Sequence, residues 1–257
     1  MSTTTDEQAE PARKSNDAWL ASSGVSVSYG KLQVLDSVDF SVGPSEAVGI
    51  VGPNGAGKTT LLNALAGSVT PSRGTVHLLG QDVTALRPER RCRLGLGRAF
   101  QIPRPFGGMT VLENVVVGAS YGAQLPRTER YERCVEVLEL CGLTGVANRR
   151  AEDLGLLHRK RLEMARALAT APQVLLLDEI GGGLTDAEAD ELVFTIQAVR
   201  QQGVSIVWIE HIVHVLLRVI DRLVAMDTGR VIADGDPREV LSNATVVDAY
   251  LGKGGGS

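Results

Sequence analysis

Residues 47–60 read AVGIVGPNGAGKTT, which joins a short apolar run to a glycine-rich turn and to the start of an apolar-periodic helix. The turn fits the pattern GxxxxGK[ST], whose glycines let successive backbone N–H groups close around phosphate oxygens. The lysine adds a cation at the outer phosphates, and the hydroxyl that follows it is a ligand for Mg²⁺. We therefore predict a phosphate-binding loop formed by Gly52, Pro53, Asn54, Gly55, Ala56, Gly57, Lys58, Thr59 and Thr60.

Two carboxylates follow a second apolar strand. Val174–Leu177 leads into Asp178 and Glu179, and ligands of open α/β sheets bind beyond the carboxyl ends of the strands. Asp178 is expected to hold Mg²⁺ through its water shell, and Glu179 to accept a proton from an attacking water. No [NT]KxD segment occurs in the sequence, which disfavours a guanine-specific GTPase. The two motifs together predict hydrolysis of ATP with Mg²⁺.

Composition and charge exclude several other classes of protein. The chain has 257 residues, 44% of them hydrophobic, enough for one large domain. The 26 Lys and Arg residues against 30 Asp and Glu residues give a formal charge of −4, which argues against a broad nucleic-acid surface. No apolar run approaches the roughly 18 to 20 residues that cross a bilayer, and no secretory signal is evident. We predict a cytoplasmic protein that binds no nucleic acid.

A local basic cluster is formed by Arg87, Arg90, Arg91 and Arg93. We interpret these four side chains as a solvated face of the protein. An electrostatic contact with a membrane partner is the alternative interpretation.

Apolar runs alternate with helical patterns along the chain, which predicts an α/β fold with a largely parallel sheet. Strands are predicted at Val34–Val42, Ala47–Val51, Val174–Leu177 and Val204–Ile209, and Gly95–Gly97 is interpreted as a turn. Helices are predicted at Thr59–Ala66, Glu129–Cys141, Lys160–Ala169 and Asp186–Gln202.

The helical patterns dominate from about residue 103 to residue 170 and suggest a helical subdomain inserted into the α/β core. Residues 1–18 are polar and aperiodic, and residues 252–257 read GKGGGS after Leu251. We predict a disordered N-terminal tail over residues 1–18, a domain over residues 19–251 and a flexible C-terminal tail over residues 252–257.

About 120 residues separate Lys58 from Asp178, with helix between them, and this arrangement resembles the ATP-binding subunits of ABC transporters. Three more residues fit the family. Tyr29 resembles the aromatic residue that stacks on adenine. Gln101 resembles the Q-loop glutamine, which reaches Mg²⁺ and the water and links the core to the helical subdomain. His211 resembles the switch histidine that contacts the γ-phosphate.

The resemblance implies a P-loop NTPase of the ABC ATPase type, with a RecA-like core, an antiparallel β subdomain and an inserted helical subdomain. Within that family, Leu94–Val115 and Lys160–Leu168 look most like the ATPases of branched-chain amino-acid importers. Such an ATPase works as a dimer that encloses nucleotide between the phosphate loop of one chain and the signature segment of the other.

The partners that this resemblance implies are transmembrane permease subunits, a second ATPase subunit of the same or a different chain, and a solute-binding protein. The location it implies is the inner face of the cell membrane. Two other functions share the same catalytic residues: a soluble ABC ATPase module in repair or translation, and a lipid-exporting ABC ATPase.

The sequence departs from the family pattern at three places. Where the family has LSGGQ, residues 154–158 read LGLLH; Ile180 replaces a proline; and Thr185 replaces the aspartate of the D-loop, Gly183–Asp186. The first change removes a serine that would contact the γ-phosphate and places leucines where glycines permit close approach. It predicts that this chain contributes a weakened half-site to its dimer.

Overall fold

The protein, seen in a computed structural model, is described at residues 18–122 and 125–251, and these residues form two β-sheets flanked by helices. The predicted tails therefore lie outside the described residues, apart from Ala18. The strands are β1 (Leu20–Tyr29), β2 (Leu32–Val42), β3 (Ala47–Val51), β4 (Arg73–Leu78), β5 (Gln81–Asp82), β6 (Leu96–Ala99), β7 (Val174–Asp178), β8 (Ser205–Ile209), β9 (Arg222–Asp227) and β10 (Arg230–Gly235).

The helices lie between and after these strands along the described residues. They are α1 (Lys58–Ala66), α2 (Pro88–Arg93), α3 (Val111–Tyr121), α4 (Arg127–Leu140), α5 (Leu156–Leu168), α6 (Asp186–Gln201), α7 (Val213–Leu216), α8 (Pro237–Ser242) and α9 (Ala244–Leu251). In the part of the chain that is described, no helix combines the length and the apolar character needed to cross a membrane.

The larger sheet has the strand order β10-β9-β3-β8-β7-β6, with β10 antiparallel to β9 and the other neighbours parallel. Its central strands β3, β7 and β8 are buried along their whole length, as their continuous apolar runs predict. The smaller sheet is antiparallel, in the order β2-β1-β4-β5. The predicted α/β fold is therefore confirmed.

The prediction of a turn at Gly95–Gly97 is wrong. Gly95 turns the chain with φ 101°, but Leu96–Ala99 forms the edge strand β6, parallel to β7. A Cβ on Gly97 would lie 3.1 Å from Pro172 and 3.2 Å from Cδ1 of Leu175. The glycine therefore marks close packing within a strand, which the local sequence does not distinguish from a turn.

Helices α3, α4 and α5 pack together in the interval where the sequence predicts a helical subdomain. A capping box begins α3, because Thr110 Oγ1 accepts a hydrogen bond from the N–H of Glu113 while the Glu113 carboxylate accepts from the N–H of Thr110. We propose residues 103–170 as a subdomain of one domain that spans residues 19–251, since α5 also packs against β6 of the large sheet.

The interpretation of the basic cluster as a solvated face is wrong for Arg91. Three of its arginines are exposed, but the Arg91 side chain is fully buried. Its Nη1 donates to the carbonyls of Ala64 and Leu65 at the end of α1, both at 2.7 Å, and Nε donates to Leu86 at 3.0 Å. Burial lowers the pKa of Arg91 to about 10, so the guanidinium stays charged at neutral pH and caps a helix carboxyl end.

Candidate functional site

The glycine-rich loop connects β3 to α1, as the sequence predicts. A Cβ on Gly52 would lie 2.1 Å from the carbonyl oxygen of Met226, and one on Gly57 would lie 2.8 Å from Cδ2 of Leu35. Gly57 also has φ 99°, a conformation that side chains disfavour. The loop therefore depends on glycine for its path between two neighbouring strands.

The loop surrounds a cavity of about 200 Å³, lined by residues 54–60, Val34 and Glu179. Gly57 is the N-cap of α1 and provides no side-chain hydrogen bond to the first N–H groups of the helix. Uncapped N–H groups at the positive end of a helix bind anions. The cavity is therefore suited to a phosphate group.

Lys58 is the first residue of α1 and is buried, with 6% of its surface exposed. Its Nζ donates to the carbonyls of Gly52 at 2.7 Å and Pro53 at 3.1 Å. These bonds hold the ammonium group against the loop on which phosphate is predicted to bind.

Asp178 ends β7 in a buried position, where its carboxylate forms an ion pair with Arg98 of the neighbouring strand β6. Nη2 of Arg98 lies 2.8 Å from Oδ2 of Asp178. Burial raises the pKa of Asp178, and the hydrogen bond and charge of Arg98 oppose that rise. Sequence reasoning missed Arg98, because its partner lies 80 positions away.

Glu179 brings together the three residues predicted to be catalytic. Its Oε2 accepts a hydrogen bond from Nε2 of Gln101 over 2.5 Å, and its Oε1 lies 2.8 Å from Nε2 of His211. Glu179 itself has φ 47°, a left-handed conformation that is costly outside glycine. Such strain is typical of residues held in place for function, and the catalytic roles themselves stay predictions.

Tyr29, the predicted adenine-stacking residue, ends β1 and is about half exposed. It stands opposite Leu32 in the hairpin that continues into β2. The same hairpin supplies Val34 to the lining of the phosphate cavity. The structure thus places Tyr29 on the element that borders the cavity, while its role in binding adenine stays a prediction.

A second carboxylate, Glu210, organises the loops around Glu179. It is 2% exposed, and it accepts hydrogen bonds from the N–H groups of Gly181 and His211, each at 2.9 Å. A Cβ on Gly181 would lie 2.7 Å from Oε2 of Glu210. Sequence reasoning gives Glu210 no role. The signal that marks it is a charged residue directly after the buried strand β8.

The altered signature segment begins α5. Gly155 is the N-cap and provides no side-chain hydrogen bond, so the first N–H groups of α5 have no cap. Leu156 is 43% exposed, and its Cδ2 would lie 3.4 Å from a Cβ on Gly183 of the D-loop. The backbone at this helix start retains its anion-binding character, although the serine of the family is missing.

The other two departures have structural explanations. Ile180 is buried, with 1% of its surface exposed, and belongs to the hydrophobic core beside the large sheet. Thr185 is the N-cap of α6 and forms a capping box with Glu188. Ile180 therefore packs in the core, and Thr185 caps a helix.

Comparison with known proteins agrees with these features. The family model described as "ABC transporter" matches residues 35–181, and one described as "Branched-chain amino acid ATP-binding cassette transporter" matches residues 230–255. The chain is 34% identical to the high-affinity branched-chain amino acid transport ATP-binding protein LivG of Escherichia coli, covering 91% of this chain and 98% of LivG. It is also 34% identical to BraF of Pseudomonas aeruginosa, named with the same description, covering 90% and 96%.

Solved structures share the fold along nearly their whole length. The ADP conformation of MJ1267, an ATP-binding cassette of an ABC transporter, has a TM-score of 0.84 and 30% identity and covers 91% of this chain and 99% of that one. A nucleotide-free ATP-binding cassette from an ABC transporter has a TM-score of 0.83 and 30% identity, with 91% and 98% covered. The chain belongs to the ABC transporter family, as an ATP-binding subunit that couples ATP hydrolysis to transport.

Proposed function

We propose that this chain powers the uptake of branched-chain or related amino acids. The substrate class rests on the printed names of LivG and BraF and on the family match at residues 230–255. The chain would act at the inner face of the cell membrane, with permease subunits, a second ATPase subunit and a solute-binding protein. The observation that carries the hydrolytic step is the contact of Glu179 with both Gln101 and His211 at the edge of the phosphate cavity.

In the proposed hydrolysis, Glu179 accepts a proton from a water molecule as the water oxygen attacks the γ-phosphorus of ATP. The bond from phosphorus to the β–γ bridging oxygen breaks, and ADP leaves with that electron pair. Gln101 and His211 hold the carboxylate from two sides, which keeps its orientation during the proton transfer. Lys58 would exchange its loop carbonyl partners for phosphate oxygens.

Three of the chain's residues fit a magnesium site. Asp178 and Thr59 offer a carboxylate and a hydroxyl, and Gln101 offers an amide oxygen; Mg²⁺ prefers such oxygen ligands. Thr59 lines the phosphate cavity, and Asp178 ends the strand that leads directly to Glu179, which also lines it. When bound, the ion would neutralise charge on the β- and γ-phosphates.

A second cavity, of about 380 Å³, opens between the end of α1, β6 and helices α2, α3 and α5. We call it the docking groove. Phe100 and Tyr121 line it and are 47% and 77% exposed, while Arg98 and Arg166 contribute charge. A groove of apolar and charged side chains accepts an amphipathic helix. We propose that a cytoplasmic helix of the permease binds there, beside Phe106, whose ring lies 4.9 Å from Cζ of Arg166.

The second ATPase subunit is proposed to be a different chain. The helix start at Gly155–His158 lacks the serine hydroxyl that the family uses, and two identical copies would place this altered segment in both composite sites. A partner with an intact signature would give one complete site, built on Lys58 and Glu179 of this chain. The pairing therefore preserves more activity than a homodimer does.

Affinity purification from membranes tests the proposal. We expect the wild-type chain to recover a multi-spanning protein, and the assembly to drive ATP-dependent amino-acid uptake into vesicles. Phe106→Ala should weaken assembly while ATP binding is kept, and Tyr131→Ala, an exposed aromatic on α4, is the matched control. Recovery with ribosomes or nucleic acid would favour the soluble ATPase module, and ATP-dependent lipid export would favour the exporter.

A further inference from the structure

Arg98 lies between the docking groove and the carboxylate at the end of β7. Its Nη2 lies 2.8 Å from Oδ2 of Asp178, and its Nη1 donates to Oδ1 of Asn63 on α1 over 2.8 Å. The two side chains of the ion pair are 11% and 9% exposed. The guanidinium thus joins the phosphate-loop helix to the strand that carries Asp178.

The same side chain forms part of the groove wall. Arg98 and Phe100 both line the docking groove, and Cζ of Arg98 lies 4.6 Å from the centre of the Phe100 ring. Phe100 directly precedes Gln101, which donates a hydrogen bond to Glu179. A segment that binds in the groove and moves the Phe100 ring therefore acts on the guanidinium that holds Asp178.

The pair is electrostatically important because both groups are largely removed from water. A bond between a guanidinium and a carboxylate is short and strong in such surroundings. The Arg98 side chain has no second carboxylate partner among the ion pairs of the described residues. Displacement of Arg98 would therefore change both the position and the charge environment of Asp178.

We propose that Arg98 is a positioning residue that couples occupancy of the docking groove to the placement of the Asp178 carboxylate. The inference rests on the proposed function, because it takes the groove as the permease site. Coupling between two sites is reciprocal in binding free energy. Through Arg98, permease binding and MgATP binding therefore change each other's affinity by the same factor.

The experiment measures the affinity of a fluorescent ATP analogue, with Mg²⁺ and with EDTA, for the chain alone and for its complex with the permease. For the wild type we expect the permease to change the affinity measured with Mg²⁺ by about 5- to 150-fold, the usual range of allosteric coupling. Arg98→Met keeps an apolar stem in the groove but removes the ion pair. In that variant we expect this factor to fall close to one, while the affinity in EDTA changes less than twofold.

Two further variants separate coupling from simple structural loss. Arg98→Lys keeps the charge but lacks the planar fork that contacts Asn63 and Asp178 together. The permease-dependent change in MgATP affinity should therefore be only partly recovered in this variant. Arg98→Lys also tests the proposal if Arg98→Met fails to fold. Arg166→Met is the matched control, since Arg166 lines the groove but pairs with Glu163. It should weaken permease binding and leave the Mg²⁺-dependent factor in the assembled complex unchanged.

The outcomes distinguish this inference from the function on which it rests. If the permease changed the MgATP affinity of both Arg98 variants by the same factor as in the wild type, the role of Arg98 would be overturned. An equal loss of ATP affinity with Mg²⁺ and with EDTA would overturn it as well. Either result would leave the transport function intact. Failure of the wild-type chain to bind any permease would overturn the proposed function and this inference with it.

Discussion

Nε2 of His211 lies 2.8 Å from Oε1 of Glu179, although 32 positions separate the two residues in the sequence. The imidazole must carry its proton on Nε2 to donate to the carboxylate. The other carboxylate oxygen accepts from Gln101, so Glu179 is held by the loops that follow β6 and β8. Movement of either loop would reorient the Glu179 carboxylate, and we propose this contact as a control point for hydrolysis.

Replacing Glu179 with glutamine should separate binding from hydrolysis. The amide keeps the shape of the side chain but does not accept the proton from water, so we expect turnover to fall by about 10² to 10⁴. ATP binding should persist. Single-turnover hydrolysis and equilibrium ATP binding measure the two effects, with Glu132→Gln on exposed α4 as the control. Unchanged turnover in Glu179→Gln would show that another group is the base.

Replacing Lys58 with alanine should nearly abolish MgATP binding. The substitution removes the side-chain cation held against the phosphate loop, and each charge-assisted bond that it makes to phosphate is worth roughly 1.5 to 3 kcal/mol. ATP titration by fluorescence measures the loss, and circular dichroism checks that the variant folds. Lys31→Ala, at an exposed position, is the control. Wild-type affinity in folded Lys58→Ala would refute the phosphate-loop assignment.

Changes at Glu210 should affect catalysis through His211 and Gly181. Glu210→Ala removes the acceptor for both backbone N–H groups, so we expect the free energy of unfolding to fall by about 3 kcal/mol, at roughly 1.5 kcal/mol for each bond. Turnover should fall more than the KM for ATP rises, since the loop that carries His211 loses its support. Glu210→Gln keeps one amide oxygen and should show about half the loss. Equal effects of the two variants would contradict this account.

Arg91 should matter for stability more than its neighbours in the basic cluster. Arg91→Met removes the buried guanidinium that donates to the carbonyls of Ala64 and Leu65, although the Ala64 carbonyl keeps a bond from the N–H of Gly67, and the loss should lower the free energy of unfolding by about 3 kcal/mol or more. Arg90→Met, at an exposed position on the same helix, should change it by less than about 0.5 kcal/mol. Urea denaturation measures both. Similar stability of the two variants would refute the capping role.

The altered signature should make the isolated chain a slow ATPase. Loss of one hydrogen-bond donor to the transition state costs about 10² to 10³ in turnover, so we expect the purified chain to hydrolyse ATP at least about tenfold more slowly than the complex with its partner ATPase. Turnover per complete site is measured in both preparations. Gly155→Ser with Leu156→Gly should raise the activity of the chain alone. Fast turnover by a wild-type homodimer would refute the asymmetric pairing.

The parts of the site that lie on one continuous segment were predictable from the sequence. The phosphate loop needs its strand, its glycines and its helix in immediate succession, so residues 47–60 contain the whole arrangement. The same holds for Asp178 and Glu179 after their buried strand. The residues that surround Glu179, namely Gln101 and His211, were identified only through the family resemblance, because no local pattern marks a lone glutamine or histidine.

The strand order of the large sheet decided the remaining contacts. Placing β6 beside β7 brings Arg98 to Asp178 across 80 positions, and placing β7 beside β8 brings Glu210 to the N–H of Gly181. In the sequence, Arg91 is indistinguishable from the exposed arginines of the same basic cluster, yet packing of α2 against the end of α1 buries it. Local propensity and spacing act over a few residues, whereas these pairings depend on which distant segments become neighbours when the core closes.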